Sequence, residues 1–218
     1  LMRRITDVRL PAPLGSETKR PHWISLNNEG RIVEIQPQIA GETCPGSSWH
    51  GDWLSPRGVD LQINGGLGLA FPELSAADLP RLIALLELLW ADGVEAIAPT
   101  LVTCGIAPLR QALAVLHQAR LQHQPGRCRL LGAHLEGPFL AEARRGAHPR
   151  EHLADPSLEA LEQRIGGFES EIALVTLAPE LAGADVVISA LRQRNITVAL
   201  GHSAAKAEQA GQAFEQGV

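Results

Sequence analysis

The sequence predicts an α/β fold in which about five βα units follow a short β-rich segment. From residue 59 onward, a short apolar run, a loop and a segment of helical periodicity recur five times. Because parallel strands need helical crossovers between them, this alternation predicts a parallel sheet. Polar side chains follow several of the strands, which favours a (β/α)8-type barrel over an open doubly wound sheet, since barrel active sites lie at that edge.

The length limits how much of such a barrel the sequence can hold. Residues 57–218 comprise 162 positions, and a βα unit takes roughly 30 residues. The sequence therefore predicts an incomplete TIM-type barrel, with about five of the eight units.

The β-rich segment at the start is predicted to consist of short strands joined by turns. The expected strands are 5–10, 23–26 and 31–35. Asn-Asn-Glu-Gly at 27–30 favours a hairpin turn, because Asn and Gly adopt positive φ angles readily. Residues 41–56 are rich in Gly, Ser and Pro and are predicted to form a connection. We therefore expect two domains, 1–56 and 57–218.

The barrel segment is predicted to begin with a strand at 59–63 and a helix that opens at Ser75, where a hydroxyl N-cap precedes an early carboxylate. Gly93 ends this helix. The remaining strands are expected at 95–100, 129–136, 172–177 and 196–201, and the remaining helices at 106–122, 157–165, 184–194 and 204–216.

Composition excludes several classes of protein. The chain has 24 acidic and 19 basic residues, a net charge of −5 and no basic cluster, which argues against a nucleic-acid partner. No apolar run approaches the ~18 residues of a membrane span, and the first residues lack the apolar segment of a signal peptide, so we expect a cytoplasmic protein without a membrane partner. The three cysteines show no CxxC spacing, which disfavours a disulfide framework or a thiolate metal site.

Candidate chemistry lies where the predicted strands end. The polar residues at these ends are Gln62, Asn64, Thr100, Thr103, His134, Glu136, Glu180, His202 and Ser203. A carboxylate and an imidazole at strand ends suit a divalent cation such as Zn²⁺, which makes Glu136 and His202 candidate ligands. His148 lies in the long loop after the third strand, and loops at this face of a barrel commonly hold substrate.

Structural alternatives remain open for these residues on position alone. Glu136 could be solvated at the start of a loop or could cap a following helix, and His202 could be a helix N-terminal histidine that bonds a backbone carbonyl. Gln62 and Asn64 could be hydrogen-bonded structural amides.

Five motifs together resemble the N-acetylglucosamine-6-phosphate deacetylase family of the amidohydrolase superfamily. They are Asp-Leu-Gln-Ile-Asn-Gly-Gly at 60–66, His-Leu-Glu-Gly-Pro-Phe at 134–139, Gly-Ala-His at 146–148, Thr-Leu-Ala-Pro-Glu at 176–180 and Gly-His-Ser at 201–203. The resemblance implies a (β/α)8 barrel beside a small β-sandwich, of which residues 1–56 would be the first part. It also implies a metal-dependent hydrolase of amino-sugar metabolism, which converts N-acetylglucosamine 6-phosphate to glucosamine 6-phosphate and acetate.

The same resemblance assigns roles to individual residues. It implies that Glu136 and His202 bind the metal and that Ala147 and His148 bind the sugar phosphate. Gln62 and Asn64 stand where many amidohydrolases have a His-x-His pair for a second metal. Because amides are poorer Zn²⁺ ligands than imidazole, we expect one zinc ion and assign both amides to substrate binding. The family also implies a homodimer.

The resemblance places the second metal-binding histidine and the catalytic aspartate of the family beyond Val218, together with a further substrate histidine and an arginine that contacts the phosphate of a neighbouring subunit. The chain is therefore interpreted as an N-terminal portion with no catalytic residue of its own, and we expect the isolated 218 residues to be inactive. The alternative is a non-catalytic truncated or degenerate relative. A dihydroorotase-like ring-opening enzyme is disfavoured, because it would have a Lys at the end of the fourth strand and 172–180 contains none.

Overall fold

A computed structural model describes residues 3–11, 20–39, 41 and 44–218 of the chain. The residues group into two compact units, Leu1–Arg57 and Gly58–Val218. Each unit has a hydrophobic cluster of its own.

The first unit is built on a four-stranded sheet. Its strands are β1 (Arg3–Val8), β2 (His22–Leu26), β3 (Ile32–Pro37) and β4 (Ser47–Ser48), in the order β3-β2-β1-β4. β1 and β2 pair antiparallel, as do β2 and β3, whereas β4 pairs parallel with β1. The prediction that 41–56 only connects two domains is wrong at β4, since two of its residues join this sheet.

The predicted hairpin turn connects β2 to β3. The side-chain oxygen of Asn27 accepts the backbone N–H groups of Glu29 and Arg31, at 3.0 and 2.9 Å. Gly30 adopts a φ of 76°, a conformation that costs a residue without a β-carbon little. Local side-chain chemistry thus sets the turn, which is why the sequence alone predicts it.

The second unit alternates strands with helices. Its strands are β5 (Gly58–Ile63), β6 (Gly65–Gly66), β7 (Leu69–Ala70), β8 (Val94–Val102), β9 (Arg129–Leu130), β10 (Ala133–Glu136), β11 (Ile172–Leu177) and β12 (Thr197–Leu200). Its helices are α1 (Leu79–Ala91), α2 (Ile106–Leu121), α3 (Leu158–Ile165), α4 (Ala184–Gln193) and α5 (Ala207–Gln216).

The main sheet is parallel and winds in one direction. Its strands lie in the order β12-β11-β10-β8-β5, and β9 also pairs with β8. Each strand lies beside the previous long strand of the chain, without the reversal of order that defines a doubly wound sheet. The predicted incomplete barrel of about five βα units is therefore confirmed.

The third predicted strand, 129–136, is divided in two. β9 and β10 are separated at Gly132, which has a φ of 124°. A β-carbon at Gly132 would lie 2.9 Å from the backbone nitrogen of Ala173. The close approach to the β11 chain requires glycine here and interrupts the strand.

Two helices begin later than the sequence predicts. Ser75 does bond Asp78, with its backbone N–H and its hydroxyl both donating to the carboxylate at 3.0 and 2.7 Å. These bonds close a 3₁₀ turn over Ala76–Asp78, and α1 starts only at Leu79. α5 starts at Ala207 rather than 204.

The core of the second unit lies between the sheet and its helices. Ile97 and Val175 from strands pack in one cluster with Leu113, Leu161 and Leu191 from helices, each at most 2% exposed. Burial of one such side chain stabilises the fold by about 1.5–3 kcal/mol. Within the described residues, every helix is too short or too polar to span a bilayer.

A buried carboxylate joins α2 to the turn before β11, and its loss is expected to destabilise the fold. Glu171 accepts hydrogen bonds from His117, at 2.8 Å, and from Arg120, and its side chain is 5% exposed. The change Glu171→Gln should lower the free energy of unfolding by about 2 kcal/mol, because hydrogen bonds to charged groups are worth about 1.5–3 kcal/mol. Urea denaturation measures this.

The matched control is Glu162→Gln. Glu162 pairs with Arg194 at 2.9 Å, but its side chain is 54% exposed, and exposed pairs contribute at most about 1 kcal/mol. Equal effects of the two substitutions would show that burial of Glu171 adds nothing.

Candidate functional site

The carboxylate of Glu136 lies at the centre of the site. Glu136 is the last residue of β10, and its side chain emerges at the carboxyl edge of the parallel sheet. Gln62 of β5 donates its side-chain N–H to one carboxylate oxygen at 3.0 Å. The Nε2 atom of His202 lies 2.9 Å from the other oxygen. Strands that are far apart in the sequence thus bring the predicted residues together.

His202 is held in an uncommon backbone conformation directly after β12. Its φ is 50°, in the left-handed region that non-glycine residues seldom adopt. Its Nδ1 lies 3.0 Å from the carbonyl oxygen of Arg144. Since a carbonyl can only accept, Nδ1 carries the proton, and in the neutral ring Nε2 offers a lone pair.

His148 has the opposite arrangement of its ring nitrogens. The backbone N–H of Thr103 points to its Nδ1 at 3.3 Å. The hydroxyl of Thr103 lies 2.8 Å from the same nitrogen and 3.0 Å from the carbonyl oxygen of Glu136. A backbone N–H can only donate, so Nδ1 accepts and the neutral ring carries its proton on Nε2. The buried His148 therefore presents a donor to the site, 3.8 Å from the Glu136 carboxylate.

These three side chains form a group that could hold a metal ion. One ligand atom each from Glu136, His148 and His202 lies within 4.8 Å of the others. The pair of Glu136 and His202 fits a cation particularly well. A carboxylate oxygen and an imidazole lone pair face each other at 2.9 Å, and two acceptors at that distance need a proton or a metal ion between them.

The charges of the site also suit a cation. Burial alone would raise the pKa of Glu136, but its contacts with His202 and Gln62, and the positive charges that His148 and His202 carry when they are protonated, hold it below its usual value. Burial lowers the pKa of His148, against the opposing effect of Glu136. At neutral pH the site therefore holds the anionic carboxylate of Glu136 beside the neutral imidazole of His148.

A second buried histidine supports the strand that carries Glu136. His134 lies two residues before it on β10, on the same face of the sheet. Its Nδ1 lies 3.1 Å from the carbonyl oxygen of Leu61, and its Nε2 lies 2.7 Å from the hydroxyl of Thr176. One ring thus joins β5, β10 and β11 directly beneath the site. Burial lowers its pKa, so the ring is neutral.

The other predicted site residues lie nearby but make fewer contacts. Asn64 is exposed, and within the described part of the chain its side chain has no hydrogen-bond partner, although its carbonyl oxygen accepts the backbone N–H of Phe71. Ala147 is exposed beside His148. The sequence predicts that Thr103 and His134 lie at strand ends but assigns neither of them a role. Their position at a strand end is the only feature of the sequence that indicates a place in the site.

Known proteins resemble the chain over most of its length. No protein-family model matches it. It is 39% identical over 169 residues to an N-acetylglucosamine-6-phosphate deacetylase of Bos taurus, which covers 75% of this chain and 40% of that protein. It is 34% identical over 201 residues to an N-acetylgalactosamine-6-phosphate deacetylase of Escherichia coli, which covers 88% of this chain and 52% of that protein. The chain thus spans about half or less of the length of these relatives.

Solved structures agree with this relationship. An N-acetylglucosamine-6-phosphate deacetylase of Thermotoga maritima matches 99% of this chain with 53% of its own, at a TM-score of 0.74 and 26% identity. A variant of the Mycobacterium smegmatis enzyme, in complex with N-acetyl-D-glucosamine-6-phosphate, matches 100% of this chain with 54% of its own, at a TM-score of 0.75 and 26% identity. The resemblance carried by the five sequence motifs is therefore confirmed, and the chain belongs to the N-acetylglucosamine-6-phosphate deacetylase family.

Proposed function

We propose that the protein containing these residues removes the acetyl group of an N-acetylated amino-sugar phosphate in a metal-dependent hydrolysis. The observation that carries this proposal is the pairing of Glu136 with His202. One nitrogen of His202 is committed to a backbone carbonyl, and the other faces the carboxylate at 2.9 Å. The relatives that bear the names of such deacetylases support the same reaction.

Glu136 and His202 are the proposed metal ligands in this chain. A bound divalent ion would activate water and polarise the amide carbonyl of the substrate. Gln62 fixes the orientation of the Glu136 carboxylate by donating to the oxygen that His202 does not face. The backbone carbonyl of Arg144 fixes the ring of His202. Each proposed ligand thus has its own orienting partner, as metal ligands commonly do.

His148 is proposed to bind substrate rather than metal. Its Nε2–H can donate to a hydroxyl or phosphate oxygen, because Thr103 supplies a donor to the other ring nitrogen. Ala147 adjoins it in the same loop, and Gln62 and Asn64 lie at the end of β5. These four residues form the proposed substrate-binding set.

The metal is proposed to be a single zinc ion. Imidazole and carboxylate are common Zn²⁺ ligands, whereas the amides of Gln62 and Asn64 are poor ligands for a second ion.

We further propose that the complete protein is a cytoplasmic homodimer without a nucleic-acid or membrane partner. Residues 1–56 are proposed to be part of a β-sandwich, and 57–218 to be the first five units of the barrel.

The proposal is tested by calorimetric titration of the metal-stripped 218-residue chain. Zn²⁺ is expected to bind with a stoichiometry of one. N-acetylglucosamine 6-phosphate is then titrated into the loaded chain, beside N-acetylgalactosamine 6-phosphate and unphosphorylated N-acetylglucosamine. We expect the first sugar phosphate to bind more tightly than the unphosphorylated sugar. Absence of Zn²⁺ binding, or equal binding of all three sugars, would contradict the proposal.

The 218 residues alone are proposed to release no acetate. The family resemblance assigns the second metal-binding histidine and the catalytic aspartate to motifs that this sequence does not contain. Acetate release that Glu136→Gln abolishes would overturn this part of the proposal. The alternative function, a non-catalytic relative, predicts that no protein containing this sequence releases acetate.

A further inference from the structure

His202 needs support in order to keep its position. Its left-handed φ of 50° is unfavourable for a residue with a β-carbon. Contacts with the loop after β10 hold it from one side. The backbone N–H of Ala141 donates to its carbonyl oxygen at 3.0 Å, and Arg144 accepts from its ring. None of these contacts involves the residues immediately after His202.

Glu180 holds that part of the chain. It lies in the loop after β11, and one of its carboxylate oxygens accepts the hydroxyl of Ser203 at 2.7 Å. The other oxygen accepts the backbone N–H of Ala204 at 2.6 Å. The same Ser203 oxygen accepts the backbone N–H of Ala205 at 2.9 Å. The next two residues after His202 are thus fixed to one carboxylate.

The contacts of Glu180 show how it acts. Both of its carboxylate oxygens are used by the loop after β12, so neither is directed to the group of Glu136, His148 and His202. A carboxylate that accepts a backbone N–H fixes the peptide plane as well as the side chain, because the direction of the N–H is set by the backbone. Glu180 therefore controls the backbone from which the His202 ring projects.

We propose that Glu180 is a positioning residue for the metal site, which acts by locking the Ser203–Ala204 backbone so that Nε2 of His202 stays directed at Glu136. This inference rests on the proposed metal-binding function. Part of the metal affinity would then depend on Glu180, although this residue contacts none of the atoms that are proposed to bind the metal.

The test is the dissociation constant for Zn²⁺ in metal-stripped 218-residue chains. Glu180→Ala is expected to weaken Zn²⁺ binding 10- to 100-fold, as loss of a residue that orients a ligand typically does. Glu180→Gln is expected to restore affinity to within about threefold. Its amide oxygen can accept from Ala204, and its N–H can donate to the Ser203 oxygen. Glu208→Ala, which removes an exposed carboxylate from the first turn of α5, is the matched control and should change nothing.

A second measurement separates positioning from simple stabilisation. With Co²⁺ in place of zinc, the visible absorption spectrum reports the ligand geometry, and Glu180→Ala should alter it whereas Glu180→Gln should not. A lower melting temperature of metal-free Glu180→Ala with unchanged Zn²⁺ affinity and spectrum would overturn the inference. Failure of the unmodified chain to bind Zn²⁺ would instead overturn the proposed function.

Discussion

Replacing Glu136 by glutamine is expected to weaken Zn²⁺ binding by the 218-residue chain at least about 100-fold, beyond the range typical of orienting residues. The substitution removes the negative charge that faces His202 at 2.9 Å and retains the size of the side chain. His202→Gln should cause a loss of similar size, because it removes the lone pair of Nε2. Calorimetric titration of the metal-stripped variants measures both effects.

His148→Gln is the discriminating control for these two variants. If Nε2 of His148 carries a proton, as its contact with the Thr103 N–H indicates, this substitution should leave Zn²⁺ affinity within a few-fold. It should instead weaken binding of the sugar phosphate. A loss of Zn²⁺ affinity as large as that of His202→Gln would make His148 a third ligand and contradict its proposed role. Circular dichroism of the metal-free variants confirms that each is folded.

Gly137→Ala is expected to cause the largest loss of stability of any substitution considered, about 2–5 kcal/mol. Gly137 has a φ of 97°, which is strained for alanine. A β-carbon there would also collide with the hydroxyl of Thr103. That hydroxyl bonds the carbonyl oxygen of Glu136 and lies against His148, so the collision falls on the centre of the site. Urea denaturation measures the change in unfolding free energy.

Gly126→Ala separates the two causes of this loss. Gly126 has a similar φ of 88°, but a β-carbon there would meet nothing within 4 Å. Gly126→Ala should therefore lower the free energy of unfolding only by the cost of backbone strain, about 1–3 kcal/mol. If both substitutions lower the free energy of unfolding equally, the contact with Thr103 contributes nothing to the loss. The packing around Gly137 is then looser than the distances indicate.

The sequence was sufficient to predict the sheet and the meeting of Glu136 with His202. The alternation of strands and helices sets the order of the βα units. The carboxyl ends of parallel strands then lie along one edge of the sheet, regardless of the loop conformations. Glu136 and His202, which end two strands of the same parallel sheet with one strand between them, could therefore be assigned to one site from the sequence.

The orientation of the site residues could not be predicted in this way. The proton of His202 is placed by the carbonyl of Arg144, which lies 58 residues earlier, and that of His148 by the N–H of Thr103, which lies 45 residues earlier. Such contacts depend on how separate loops pack. The strand at Ser47–Ser48 and the interruption at Gly132 also could not be predicted from the sequence, because both depend on contacts with other segments of the chain.

The wide spacing of the site residues also links metal binding to unfolding. Gln62 lies 74 residues before Glu136, and His202 lies 66 residues after it, so the unfolded chain cannot present them together. An ion at this site would bind only the folded state, and free ion at 100 times its dissociation constant would add about 2.7 kcal/mol to the free energy of unfolding. The supply of metal would then change the stability of the folded chain, and a chelator would lower its free energy of unfolding by the same amount.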